Sequence, residues 1–217
     1  MDEQDGSTSK IFDNVDLGSG VELGEFCVIG QPPRGKQGGE LPTVVGSRSV
    51  IRSHTVIYAG NTIGERFVTG HGVMIREENR IGDGVSIGSH SIVEHHVSIG
   101  NDVRIHSQAF IPEYSVLEDG CWIGPNVVLT NAYHPLCPKA KVCLKGPTIN
   151  RGAKIGANAT LLPDITVGEN ALVGAGSVVV DDVAPGAVVA GNPARVIKHV
   201  TELDCPYDLI DRPYDID

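Results

Sequence analysis

Aliphatic side chains recur at every sixth position along most of this chain, in three separate registers. One series is Ile11, Leu17, Leu23 and Ile29. A second runs Val45, Ile51, Ile57, Ile63, passes over Thr69, and continues through Ile75, Ile81, Ile87, Val93, Ile99, Ile105, Ile111, Leu117, Ile123 and Leu129. The third is Ile149, Ile155, Leu161, Val167, Val173 and Val179. Such a period matches neither the turn of a helix nor the alternation of a long strand; it fits a short strand followed by a tight corner. Three segments close one triangular coil of about 18 residues, and coils stack at about 4.8 Å, so the series predicts an all-β prism of about eight coils, roughly 35–40 Å tall. Glycine often follows the aliphatic (Gly64, Gly82, Gly88, Gly100), where a side chain would crowd the corner. Small residues four places on (Cys27, Ser49, Ala109, Ser115, Cys121, Ala159, Ala171, Ser177) suit a narrow interior.

Two segments interrupt the repeat and read as loops, at 30–44 and 130–148; both are rich in proline and carry no periodicity. Asn192 can cap a helix with Pro193 at its first position, which predicts a helix from Pro193 to about Leu203. The chain then divides into a coil domain, 1–192, and a short helix with an acidic tail, 193–217 (Glu202, Asp204, Asp208, Asp211, Asp215, Asp217).

Composition narrows the setting. A chain of 217 residues favours one domain. Five cysteines, an odd number with no CxxC, read as free thiols in a reducing cytoplasm. Neither a long apolar run nor a signal-type start (MDEQDGSTSK) is present, so a cytoplasmic protein without a membrane span is expected. A net charge of −10 argues against nucleic acid and acidic membranes as partners. Yet Gly120 to Pro163 contains no Asp or Glu, while Lys139, Lys141, Lys145, Arg151 and Lys154 fall inside it, a pattern suited to a phosphorylated small molecule.

The pattern [Leu/Ile/Val]-Gly-x-x-[small]-x over about residues 11 to 200, closed by Ala190-Gly191-Asn192-Pro193-Ala194-Arg195-Val196-Ile197-Lys198, resembles the hexapeptide-repeat acyltransferases. The resemblance implies a left-handed parallel β-helix, a homotrimer and acetyl-CoA as co-substrate. It also implies that Ala157 and Ala175, one coil apart, flank the pantetheine arm, with Val180 beside the same groove and Arg195 and Lys198 near the phosphoadenosine end.

His134-Pro135, in Thr130-Asn131-Ala132-Tyr133-His134-Pro135, matches the loop histidine that serves as general base in the sugar O-acetyltransferases of that family. The phrase Ile123-Gly124-Pro125-Asn126-Val127-Val128-Leu129-Thr130-Asn131 is similar to the nucleotide-sugar N-acyltransferases and marks Asn131 as a functional asparagine, binding the amine or the oxyanion. The acceptor implied is the amino group of a nucleotide-linked amino sugar, with O-acetylation of a sugar or small alcohol as the alternative. Coil arithmetic stacks Glu77, His95, Glu113 and Asn131 in one column and His54, Gly72, His90, Gln108 and Asn126 in another; Glu77, His95, Glu113 and Asn126 are the candidate acceptor contacts.

The histidines raise a rival. Six of the eight lie between His54 and His106, and His54, His90 and His95 resemble the zinc ligands of γ-class carbonic anhydrases, which share the fold. Their register is shifted from that family's, so no metal is expected. A catalytically silent scaffold is the remaining alternative.

Overall fold

A computed structural model describes residues 8–214. The N-terminal MDEQDGS and the acidic positions Asp215 and Asp217 lie outside the described residues. Short strands run from Lys10–Ile11 onward into three parallel sheets of nine, eight and ten strands, denoted I, II and III in the order the chain first visits them. Within a sheet each strand pairs with the one a full coil later: Met74 and Ile75 lie beside Ile92 and Val93, and Arg80 and Ile81 beside Ser98 and Ile99. The molecule is a three-sided parallel β-helix.

The inward positions are the periodic aliphatics, buried from Ile29 to Val179; the small residues four places on are buried too, including Cys27, Ser115, Ala159 and Ser177. Buried polar residues are admitted only where they serve the backbone. Asn61 Nδ2 donates to the carbonyls of Tyr58 and Arg76 at 2.7 Å, its Oδ1 accepts from Asn79 N at 2.9 Å, and Asn79 Oδ1 accepts from Val97 N at 2.7 Å. An asparagine ladder thus spans three coils and leaves no amide unsatisfied. The Cys121 thiol, pushed up to about 12 by burial, donates to Ile149 O and Asn150 O at 3.2 Å and is a packing group. All five cysteines are free.

The corners follow one rule. Three residues after each inward slot the backbone takes positive φ, as at Asn14 (62°), Phe26 (59°), Arg66 (54°), Tyr114 (64°), Asn126 (57°) and Gly72 (63°). The exceptions are the positions where the two loops leave the coil and the last corner, after Val179. The residue directly after the aliphatic is glycine where the next coil approaches closest: a Cβ on Gly82 would stand 2.8 Å from Gly100 C and O.

The loops occupy 32–42 and 130–147, the second holding one 3-10 turn at Ala140–Val142. The C-terminal expectation is corrected. Instead of a helix from Pro193, residues Ala187–Gly191 and Ala194–His199 form an antiparallel hairpin that extends sheet III, followed by a 3-10 turn at Val200–Glu202. Gly191, at φ 102°, reverses the chain ahead of Pro193. The strand preference of Val188, Val189, Val196 and Ile197 and an open sheet edge outweigh a capping signal that is local. The division at 192/193 falls inside this turn.

Gly82→Ala is expected to lower stability by about 1–3 kcal/mol, whereas Arg66→Gly, which relieves a left-handed corner, is expected to raise it by about 0.5–1 kcal/mol. Urea midpoints at unchanged slope check both.

Candidate active site

Three edges join the sheets, and they are not alike. On the II/III and III/I edges the position after the aliphatic is mostly glycine (Gly46, Gly64, Gly82, Gly100; Gly70, Gly88, Gly124, Gly156). On the I/II edge, from Tyr58 onward, it is never glycine: Tyr58, Arg76, Glu94, Pro112, Thr130. Glu77, His95, Glu113 and Asn131 follow them, so this edge carries side chains where the others carry bare backbone.

These groups form a connected network. Arg76 grips Glu77 through Nε and Nη2 at 2.9 and 3.0 Å, reaches Glu94 through Nη1 at 3.3 Å, and lies 4.9 Å over the Tyr58 ring. Burial pushes the Glu77 carboxyl up, but the Arg76 hydrogen bonds, its own backbone hydrogen bond and the nearby charges of Arg76 and His95 together outweigh it and hold Glu77 below its usual range. For Glu94 burial wins, and its carboxyl sits above that range. Higher up, Asn131 Nδ2 donates to Glu113 Oε2 at 2.6 Å and toward Glu113 O at 3.4 Å, while His95 Nε2 stands 3.6 Å from Glu113 Oε1. Both amide donations of Asn131 go to Glu113, which leaves its Oδ1 to accept from a ligand. His95 Nδ1 lies 2.8 Å from His96 Nδ1, and Tyr114 meets both rings.

The long loop rises from the same edge, its base closed by Lys145 N donating to Asn131 O at 3.0 Å. His134 is exposed beside a recess of about 40 Å³ formed by Ala132, Tyr133, Cys137, Ala140 and Cys143. Among the described residues no carboxylate orients its ring.

Ala157 and Ala175 stack in one column on the III/I edge, above Pro125: Asn158 N donates to Pro125 O at 2.9 Å and Gly176 N to Ala157 O at 2.8 Å. A cleft of about 460 Å³ opens beside them, lined by Trp122, Lys154, Gly156, Leu172, Gly174, Ala175 and Tyr214. Within it Lys154 Nζ lies 4.5 Å over the Tyr214 ring, and burial lowers the Lys154 pKa.

Several expected groupings are not met. Val180 follows the strand Val178–Val179 and lies on the I/II edge, a sheet's width from Ala175. Asn126 belongs to the III/I edge, where His54, Gly72, His90 and Gln108 share its positive φ; backbone geometry accounts for that column, and it is not part of the wall below the loop. Glu77, His95, Glu113 and Asn131 do come together. Arg195 pairs at 3.6 Å with Asp181, and Lys198 Nζ meets Glu202 O at 3.4 Å, both on the terminal hairpin. The cations of the acid-free stretch are spread over separate surfaces: Lys145 on Asp164 by the loop, Arg151 on the II/III edge, Lys154 on sheet III. His54 and His90 stand on a different edge from His95, and among the described residues no group of three or more His, Cys, Asp or Glu could hold a metal. No helix of the described residues is long and apolar enough to cross a membrane. Sequence reasoning passed over Tyr58, Arg76, Glu94 and His96 as site residues; the signal available was the loss of corner glycine on one edge in three.

Residues 80–113 and 146–181 match the family model for the bacterial transferase hexapeptide (six repeats). The chain carries those hexapeptide repeats, and its coil is the left-handed parallel β-helix that they build. It is 36% identical over 93 residues to the galactoside O-acetyltransferase of Escherichia coli, covering 41% of this chain and 46% of that one. It is 41% identical over 80 residues to a 2,3,4,5-tetrahydropyridine-2,6-dicarboxylate N-acetyltransferase of Clostridium perfringens, covering 37% and 31%. The chain thus spans less than half the length of these curated relatives. A solved galactoside acetyltransferase in complex with coenzyme A superposes with a TM-score of 0.45 at 24% identity, over 78% of this chain and 74% of that one.

A carboxyl raised in the folded state stabilises most when protonated, and that contribution is lost as pH rises through the carboxylate range. Glu94→Gln is therefore expected to match the unaltered protein in acid and to exceed it in urea midpoint at neutral pH.

Proposed function

We propose that the chain is an acetyl-CoA-dependent acetyltransferase that works as a cyclic homotrimer on the amino group of a nucleotide-linked amino sugar. The observation that carries this reading is the pairing of Asn131 with Glu113 directly beneath the loop that bears His134. Asn131 Oδ1 then accepts from an incoming amine, a role better matched to its free atom than holding the oxyanion.

The outward row of sheet I supports assembly. After Lys10 it reads Val28, Val56, Met74, Ile92, Phe110, Val128, Thr160 and Val178, all at least partly exposed, whereas sheet II sets Asp16, Thr62, Arg80, Ser98, Thr148 and Thr166 beside the exposed Val44 and Val116. One bounding edge of sheet I carries Glu77, Glu78, Glu94 and Glu113 together with Arg76, His95 and His96; the other carries Arg52, His54, His71, His90 and His106, with Glu25 at its first corner. Packing sheet I around a threefold axis brings the acidic edge of one subunit to the basic edge of the next, a heterologous contact that closes a ring. His134 and the Ala157–Ala175 column, on different edges of one protomer, then share a cleft between subunits.

In the reaction His134 takes the proton as the acceptor nitrogen attacks the thioester carbonyl; the carbon–nitrogen bond forms, the tetrahedral oxyanion collapses, and the carbon–sulfur bond breaks to release the coenzyme A thiolate. A hydroxyl acceptor is the second reading, favoured by the match to a galactoside O-acetyltransferase.

His134→Ala is expected to lower kcat by about 10²–10⁴ with the thermal shift by coenzyme A unchanged, read by thiol release against a panel of amino-sugar nucleotides and free sugars. Absence of any coenzyme A shift in the unaltered protein would return the chain to a scaffold. Ile92→Lys on sheet I is expected to convert a trimer to a monomer in light scattering; an unaltered protein already monomeric would remove the shared cleft.

A further inference from the structure

The single break in the aliphatic series has a structural partner. Thr69 stands in an inward slot, and Arg52, one coil earlier on the III/I edge, replaces the corner glycine. The regular ladder bond at this edge runs from the corner amide to the next aliphatic carbonyl, as from Gly24 N to Ile51 O and from Gly70 N to Ile87 O, each 2.7 Å. At Arg52 the amide donates instead to Thr69 Oγ1 at 2.9 Å, and the strands there keep only the Val50–Val68 pair. Thr55 Oγ1 lies 3.3 Å from Thr69 Oγ1 and completes the substitution. The coil is rebuilt at the point where it carries an arginine.

Beside this irregular coil lies a depression of about 220 Å³ on sheet III, lined among others by Arg52, Ser86, Arg104, His106 and Ser107, with no acidic residue in its wall. Gly70 and Gly88 form part of its floor, so the guanidinium chains stand above bare backbone. Neither Arg52 nor Arg104 makes an ion pair among the described residues, although the chain carries a net charge of −10. His106 packs on Trp122 at 4.6 Å between ring centroids, and its buried Nε2 has no hydrogen-bond partner. Burial, and then the nearby Arg104, hold the His106 pKa below its usual value. Two guanidiniums without an ion pair and the hydroxyls of Ser86 and Ser107, in a hollow with no acidic lining residue, are complementary to a multiply charged oxyanion.

We propose that this hollow on sheet III binds the diphosphate group of a phosphorylated small molecule. Nucleotide-linked sugars and coenzyme A both carry that group, and the ligand arms below separate them. The hollow opens on sheet III, away from the apolar sheet I, while Arg52 and His106 at its rim also belong to the III/I edge that the proposed trimer brings to the next subunit.

The experiment is isothermal titration of the full chain and of Arg52→Gln and Arg104→Gln with inorganic pyrophosphate, UDP and coenzyme A. Both arginines are exposed, and neither substitution is expected to alter folding. Pyrophosphate affinity is expected to fall at least tenfold in each variant. A parallel loss for UDP with coenzyme A unchanged assigns the group to a nucleotide-linked ligand; a parallel loss for coenzyme A assigns it to the carrier. Unaltered pyrophosphate affinity in both variants, no binding to the unaltered protein, or loss of the trimer in Arg52→Gln with pyrophosphate affinity intact would each overturn the proposal. Failure of acetyl transfer with arginine-dependent pyrophosphate binding retained would sink the acetyltransferase reading and leave this site standing.

Discussion

The architecture depends on one repeated constraint, a left-handed residue at each corner that turns the chain from one sheet to the next. A non-glycine residue there costs about 1 kcal/mol, and the ladder bonds of the stacked coils must offset it again and again. The corner geometry then leaves little freedom. Inward slots take aliphatics or small residues, and outward strand positions make a flat face. Only the edges can vary without breaking the stack, so chemistry collects on edges.

That partition explains the character of each surface. Where the corner position stays glycine, the next coil sits close and the edge is smooth, as beside Gly124, Gly156 and Gly174. Where it is Tyr58, Arg76 or Glu94, side chains project and are held by one another. The same edge releases the long loop after Leu129, so His134 follows Asn131 of the Glu113–Asn131 pair by three residues. The edges that flank the outward face of sheet I differ in charge, and the proposed trimer rests on that difference. Histidines that look like a metal set in the linear chain are divided between these two edges, with His95 and His96 on one and His54, His71, His90 and His106 on the other.

Much of this was legible before any coordinates. The six-residue period marks every inward slot, the loops appear as gaps in the period, and the stacking of Glu77, His95, Glu113 and Asn131 follows from counting coils, because a strictly periodic solenoid turns sequence separation into position. Where the period stops, counting fails: the segment after Asn192 carries a sound capping signal, yet it adds a hairpin to an exposed sheet edge that no local pattern reveals. Val180 was grouped with Ala175 for a related reason: a corner lies between them, and each corner sends the chain to another side of the prism. Asn126 stands in the column that counting coils gave it, on the III/I edge and apart from Asn131.

By itself, then, the chain determined the coil, its contents and the residue types at every corner, since these depend on local geometry repeated without change. Tertiary structure alone decided which side chains meet. It set the donation of Asn131 to Glu113, the grip of Arg76 on two glutamates, the dispersal of the loop lysines and the hollow beside Thr69. Those outcomes depend on rotamers, burial and competition among neighbouring coils, quantities that a one-dimensional pattern does not contain.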